Sequence, residues 1–327
     1  MNYTLILFMY SLKNHLRHTT SQMIRKIKNT DLNRLRLFMK VKEYGGFAPV
    51  ANQLGMSASN VSIQMKELEN SLGVILCLRG KSGFSLTPEG EKIYEASQTL
   101  MLAHDNFESA VGRARGHLVG NLRIGVIDNM VFDPNLSIPN VITEFRKRAP
   151  EVEISLLTMS PSELEREILE QRLHIAIGVF YEHKVGLTYH HICSEKLSLY
   201  CGYSHPLYDE KKHSFDVIQK YSYIERTYGE TLTSSNIPFE PAIGAYTSSL
   251  EATLMLILSG QYLGFLPTYY ANHFSFKGKI KPILLDTLHI NSKVSALVHS
   301  HPINRAMTNT SLEILFQHQP NPATKII

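Results

Sequence analysis

The 327-residue sequence predicts an α/β protein built as an N-terminal winged helix-turn-helix, a long linker helix and a two-lobed α/β back half. Three observations predict it. Phe47 to Leu72 reads as two short amphipathic helices broken at a glycine. Residues 76–90 read as a basic hairpin running into a capped helix start. From Asn121 onward, strand-length runs alternate with helical periodicity.

Residues 1–30 hold an apolar run, Leu5 to Leu12, followed by Lys13, Arg17, Arg25, Lys26 and Lys28 without an acid. The run is too short to span a bilayer and has no basic residues ahead of it, so it supports neither a membrane helix nor a secretory signal. It is expected to be a poorly ordered basic extension, or the product of an upstream start with Met23 as the true first residue.

Asp31 to Tyr44 forms the first helix, capped by Thr30 or Asp31 and closed by Gly45-Gly46. In the next pair, Val50, Ala51 and Leu54 make one apolar stripe and Val61, Met65, Leu68 and Leu72 another. Pro49 falls in the first turn of its helix, Gly55 supplies the turn, and Ser57 caps the second helix. Turning that second stripe inward leaves Ser59, Ser62, Ile63 and Lys66 outside. Hydroxyls and a lysine on such a face suit a major groove, although the same spacing also serves a helical hairpin packed on a core. Gly80 to Gly83 turns the wing, with Arg79 and Lys81 placed to meet phosphate. Ser57, Ser59, Asn60, Ser62, Ile63, Lys66, Arg79 and Lys81 are therefore the candidate DNA-binding residues.

Thr87-Pro88-Glu89 opens the linker helix with a capping hydroxyl, a proline at the first helical position and an acid at the positive dipole end. Ile93, Ala96, Leu100, Ala103, Phe107 and Val111 lie close to a heptad seam, which suits a partner helix; packing within its own domain is the alternative. Gly112, Gly116 and Gly120 read as a hinge.

In the back half, strands are expected at Leu122–Ile127, Val152–Leu156 and Ile175–Val179. Between them come a helix through Ile138 and Phe145 and another opened by a Ser160–Glu163 capping box. Leu197 to Cys201 leaves this first lobe for a second one, where Tyr223-Ile224 is a strand and Ser248 caps a helix through Leu258. Val294–Val298 returns, and Ser311–Phe316 closes the chain. The expected boundaries are 1–30 extension, 31–89 DNA-binding domain, 90–119 linker and hinge, and 120–327 two-lobed domain, the effector-binding domain of the resemblance drawn below. Within the last, lobe I is 120–194 with 293–327, and lobe II is 195–292.

Charge is uneven: residues 1–120 carry 15 Lys+Arg against 9 Asp+Glu, and the remainder 18 against 20. A basic front with a near-neutral back suits a nucleic-acid module attached to something else. Cys77, Cys193 and Cys201 are too few and scattered for a disulfide framework or zinc finger, which fits a reducing cytoplasm. A Cys193–Cys201 redox pair is the alternative to two inert thiols. His190-His191-x-Cys193 holds metal-ligand residue types, but adjacent strand histidines point to opposite faces, so no metal site is expected. No phosphate loop, dinucleotide fingerprint, nucleophile elbow or zinc-protease motif occurs. Neither a catalytic residue nor a cofactor is assigned.

The front elements resemble the LysR-type transcriptional regulator family: DLNRLRLF at Asp31–Phe38, A-x-x-L-x-x-S-x-x-x-V-S at Ala51–Ser62, L-E-x-x-L-G at Leu68–Gly73, and R…LT-x-x-G at Arg79–Gly90. Cys77, Ile63 and Asn60 depart from the usual pattern. SGQYLGFLP at 259–267 resembles that family's glycine turn and Leu-Pro strand. The resemblance implies an effector domain like periplasmic binding proteins, with a small molecule between two lobes. It also implies double-stranded DNA as partner and a homodimer or homotetramer formed through linker helix and effector domain, with no membrane. Strand ends then nominate Asp128, Asn129, Met159, Ser160, Gly178, Val179, Arg226, Thr247 and Ser248 for the effector. A solute-binding protein or enzyme on the α/β part, and an architectural DNA-binding protein without effector, are the alternatives.

Overall fold

The computed structural model describes residues 28–80, 83–211, 213–227, 237–273, 278–283 and 288–318. Residues 1–27 of the expected N-terminal extension and Lys81 lie outside the described residues, as does the side chain of Arg79. Two compact units meet in the chain between His104 and Asp105.

The first unit contains α1 (Asn29–Glu43), α2 (Phe47–Leu54), α3 (Ala58–Leu72), the hairpin β1 (Cys77–Gly80) and β2 (Gly83–Leu86), and the start of α4 (Pro88–Ala114). Its core collects Phe38 and Val41, Val50 and Ala51, Val61, Met65 and Leu68, with Leu76 below the wing. Gly55 and Gly73 end α2 and α3 at φ 64° and 73°, the left-handed conformation a C-terminal cap needs. Ser57 accepts the Asn60 N–H at 3.2 Å, as expected of an N-cap.

The first helix starts earlier than the sequence suggests, and Asp31 is not its cap. Its carboxylate is fully buried and accepts the Lys28 N–H at 2.8 Å and the Ser71 hydroxyl at 2.9 Å, tying α1 to α3. Glu69 of α3 similarly accepts the backbone N–H groups of Leu76 and Cys77 at 2.8 and 3.2 Å, pinning the base of the wing. Thr87 donates to the Ile75 carbonyl at 2.6 Å and accepts the Gly90 N–H at 2.8 Å. A Cβ at Gly90 would stand 2.2 Å from the Leu76 carbonyl oxygen, so only glycine lets α4 approach this closely.

The second unit takes the end of α4, then β3 (Gly120–Val126), α5 (Ile138–Arg148), β4 (Val152–Thr158), α6 (Pro161–Leu169), β5 (Ile175–Val179) and β6 (Leu187–Gly202). There follow α7 (Phe215–Ile218), β7 (Ser222–Arg226), β8 (Ala242–Thr247), α8 (Leu250–Leu258), β9 (Gly264–Pro267), α9 (Thr268–Ala271), β10 (Ile280–Ile283), β11 (His289–His299) and α10 (Arg305–Gln317). The large sheet runs β10-β6-β11-β5-β3-β4, with β9 also on β6; β7 and β8 pair separately in parallel. Strands β4, β3 and β5 are parallel, as repeated strand–helix units require, whereas β11 is antiparallel both to β5 and to β6, its neighbours on either side. At 16 and 11 residues, β6 and β11 are much longer than the sequence reading made them, because each runs through both lobes and forms the two crossings.

The three glycines expected to form a hinge differ in placement. Gly112 lies inside α4, where a Cβ would meet Val119 Cγ2 at 2.2 Å, and only Gly116 and Gly120 adopt positive φ. The turn is pinned: Ser109 donates to the Val119 carbonyl at 2.9 Å, Arg123 to Asp105 at 2.8 Å, and Arg113 to Asn304 Oδ1 at 3.0 Å. Beside them the His174 Nδ1 accepts the Arg123 N–H at 3.1 Å, and burial drives that imidazole down to about 3, leaving it neutral.

Candidate nucleic-acid interface and ligand cleft

On α3 the inward stripe is buried and the opposite side is open: Ser59, Asn60 and Lys66 are exposed, Ile63 is 58% exposed, and Ser62 is half-buried. Residues 59, 62, 63 and 66 share one helix face by their spacing. Two candidates have further structural roles. The Ser57 hydroxyl caps the helix and meets Ser59 Oγ at 2.9 Å, while Asn60 Oδ1 accepts from Gln64 at 3.1 Å. In the wing, Arg79 is paired across the hairpin with Phe84, one step before the Gly80–Gly83 pair that faces the turn.

In the second unit the carboxyl ends of β3, β5 and β7 approach one cleft. Asp128, just past β3 in lobe I, reaches lobe II and accepts the Leu250 N–H at the start of α8 at 2.6 Å; the same oxygen takes Asn129 Nδ2 at 2.9 Å. Phe132 packs against Tyr270 and His273, ring centroids 5.7 and 4.7 Å away, so the lobes are clasped at two points. Alongside lies a narrow cavity of about 20 Å³, lined by Tyr181 from lobe I, Glu225 and Arg226 from the end of β7, Thr253 of α8, and Ser292 of β11 over an apolar floor including Leu197 and Phe265. The Tyr181 and Ser292 hydroxyls are 3.1 Å apart.

The nominated effector residues divide sharply. Arg226 lines the cavity, and Thr247 holds its rim, its hydroxyl 2.9 Å from that of Thr253. Asp128 bridges the lobes, and Asn129 turns the chain there at φ 60°. Ser160 is committed to its capping box, donating to Glu163 at 2.7 Å, and Met159 packs on the lobe I core. Gly178 and Val179 do not line the cavity: β5 is covered on both faces, and a Cβ on Gly178 would press Ile127 at 2.9 Å. The cap of α8 is Ser249, accepting the Ala252 N–H at 3.1 Å; Ser248 is exposed one residue earlier.

Sequence reasoning missed Tyr181, Thr253, Ser292 and Glu195. The last offered a signal, an acid immediately before the strand run Leu197–Cys201. Glu195 is 6% exposed, receives the Tyr269 hydroxyl at 3.1 Å, and is pushed up to about 7 by burial, against the pull of Arg226. Asp133, also buried, is raised by desolvation, and Cys193 donates to it at 3.9 Å. Burial together with Asp133 drives the Cys193 thiol up to about 12, an unreactive state. Cys193 and Cys201 lie eight residues apart on the same extended strand, roughly 26 Å, so they cannot form a disulfide in this fold. His190 and His191 sit on the same strand, His190 against Phe316 with ring centroids 6.2 Å apart.

Comparison with known proteins places these features. The family described as "Bacterial regulatory helix-turn-helix protein, lysR family" matches residues 32–91, and "LysR substrate binding domain" matches residues 115–319. The HTH-type transcriptional activator BauR of Pseudomonas aeruginosa is 31% identical over 266 residues, covering 81% of this chain and 87% of its own. The probable HTH-type transcriptional regulator LrrA of Synechococcus elongatus is 28% identical over 62% of this chain and 68% of its own. Among solved structures, full-length CbnR in complex with its target DNA superposes with a TM-score of 0.64 at 22% identity, covering 88% of this chain and 99% of that one. The relatives are named as transcriptional regulators, not enzymes. No helix among the described residues is long and apolar enough to cross a membrane. The matches cover the helix-turn-helix and the two-lobed domain in the same order, and the chain belongs to the LysR family of bacterial regulatory proteins.

Proposed function

We propose that this chain binds double-stranded DNA in a sequence-dependent manner through Ser59, Ser62, Ile63 and Lys66 of α3, with Arg79 and Lys81 of the wing gripping phosphate. A small molecule between the lobes modulates that binding. The observation that carries the reading is the open face of α3: Val61, Met65 and Leu68 on the opposite side are fully buried, so the helix turns these side chains outward. Pairing follows from the linker helix. Ala96, Leu100, Ala103, Phe107 and Val111 are exposed along α4, which at 27 residues is about 40 Å long, and an uncovered apolar seam of that length suits a second copy. Ile93 instead packs on the core of its own unit. A homodimer or homotetramer would set two reading helices at half-sites one helical turn apart, with the chain working in the cytoplasm where its DNA lies.

The effector would act through Asp128, Arg226 and Thr247 around the cavity. Lobe movement would reach α4 through the Arg123–Asp105 and Arg113–Asn304 contacts. Fluorescence anisotropy with a duplex from the region upstream of the chain's own gene, against a scrambled duplex, tests the reading. Lys81→Ala is expected to weaken both complexes and flatten the salt dependence by about one counterion, whereas Ser62→Ala should change the ratio between them. Equal affinity for both duplexes would favour an architectural protein, and an unchanged salt slope for Lys81→Ala would remove the wing from the interface.

A further inference from the structure

Resting on the reading of this cleft as the effector site, we propose that the effector carries an ammonium group, which Glu195 receives beside Leu197 and Ser292 at the edge of the cavity. Glu195 stands on the same face of β6 as Leu197, two residues on, and directly opposite Ser292 of β11; both of those residues line the cavity. Its side chain is more than nine-tenths buried, and one carboxylate oxygen takes the Tyr269 hydroxyl. Among the described residues no group donates to the other oxygen.

A carboxylate this far out of water, with one protein donor, pays the largest cost when it is ionised, and its second oxygen is open to a further donor. Desolvation accordingly dominates its titration, with Arg226 offsetting only part, while Asp133 and Asp128 add negative potential. An ammonium group supplies both missing elements, positive charge and N–H donors, at hydrogen-bond range. A ligand carboxylate brought to the same point would meet the fields of Glu195, Asp133 and Asp128 together. The Tyr181 and Ser292 hydroxyls can accept remaining ammonium protons, and Leu197 and Phe265 provide surface for a short alkyl chain.

The test uses the full chain and three probes of equal size at matched ionic strength: n-propylammonium, propionate and n-propanol. Thermal unfolding is followed for the wild type, Glu195→Gln and Glu195→Asp. The amine should raise the melting temperature of the wild type in a saturable manner while the other two do not. Glu195→Gln should weaken its apparent affinity about tenfold or more, and Glu195→Asp, which keeps the charge on a shorter arm, should fall between. An amine response unchanged in Glu195→Gln would overturn the assignment, as would a response to propanol equal to that of the amine. Saturable stabilisation by propionate alone would overturn the ammonium class and leave the cleft standing as the effector site. Silence of all three probes would remove both readings.

Discussion

The clasp between Asp128 and Leu250 can be tested without knowing the effector. The acceptor is a carboxylate, the donor is the first N–H of α8, the distance is 2.6 Å, and Leu250 is 3% exposed. A charge-assisted hydrogen bond of this kind contributes about 1.5–3 kcal/mol, and a helix N-terminus adds to the preference for an anion. Asp128→Ala removes it and leaves a buried N–H without a partner, so the equilibrium between clasped and unclasped lobes should shift by roughly 10- to 150-fold. Hydrogen exchange read at single-residue resolution measures this directly, because the Leu250 amide exchanges in proportion to the opened population. The amides of Leu254 and Ile257, bonded within the same helix, serve as internal controls and should be little changed. Asp128→Asn retains a neutral acceptor and should give a smaller acceleration. Exchange of Leu250 in Asp128→Ala within twofold of the wild type would show that the contact does not hold the lobes, and the clasp would be withdrawn.

Asp31 ties α1 to α3 and, with the backbone N–H of Lys28 as the first cause, its carboxyl is held below the usual range. Its contribution is present above the unfolded value near 3.8 and is lost as pH falls through the lower folded value, so Asp31→Asn should destabilise the helix-turn-helix by about 1–3 kcal/mol at neutral pH and flatten its acid unfolding curve, followed by circular dichroism. Glu195 has the opposite sign: its folded value is raised, so stability falls as pH rises from about 4.5 towards about 7. The slope can reach about 1.4 kcal/mol per pH unit, and Glu195→Gln should remove that component from denaturant titrations across the window. Gly90→Ala must displace the Leu76 carbonyl or tilt α4, and is expected to cost about 2 kcal/mol or more of stability, seen as a lower denaturation midpoint; a neutral result would contradict the close approach.

Much of the first unit was legible in the sequence, and the reason is local. Gly55, Ser57 and Gly73 act within four residues of their own backbone, as does the cap that Thr87 offers Gly90, so caps and turns are encoded where they occur. The residues that carry the family resemblance have tasks the linear pattern could not show: Asp31 bonds Ser71 forty positions away, Glu69 holds the wing base, and Gly90 yields to Leu76. They build the fold, while the open face at Ser59, Ile63 and Lys66 is left to meet a partner. In the second unit the order of strands and helices was readable from periodicity, but the lengths of β6 and β11 were not, because a strand crossing two lobes changes which face is buried partway along.

What the sequence by itself determined is the main elements, their order, the basic front, and the outward face of α3, since each follows from spacing within a turn or two of chain. The effector candidates show the limit of that reasoning: strand ends nominated Arg226, which lines the cavity, and Asp128, which bridges the lobes, but also Gly178 and Val179, which are packed inside lobe I. Only the tertiary structure decided that Tyr181 meets Ser292 across 111 positions, that Asp128 reaches Leu250 across 122, and that Glu195 is buried with one donor. These contacts depend on strand register and on two chain crossings, and neither has a periodic signature in the amino-acid order.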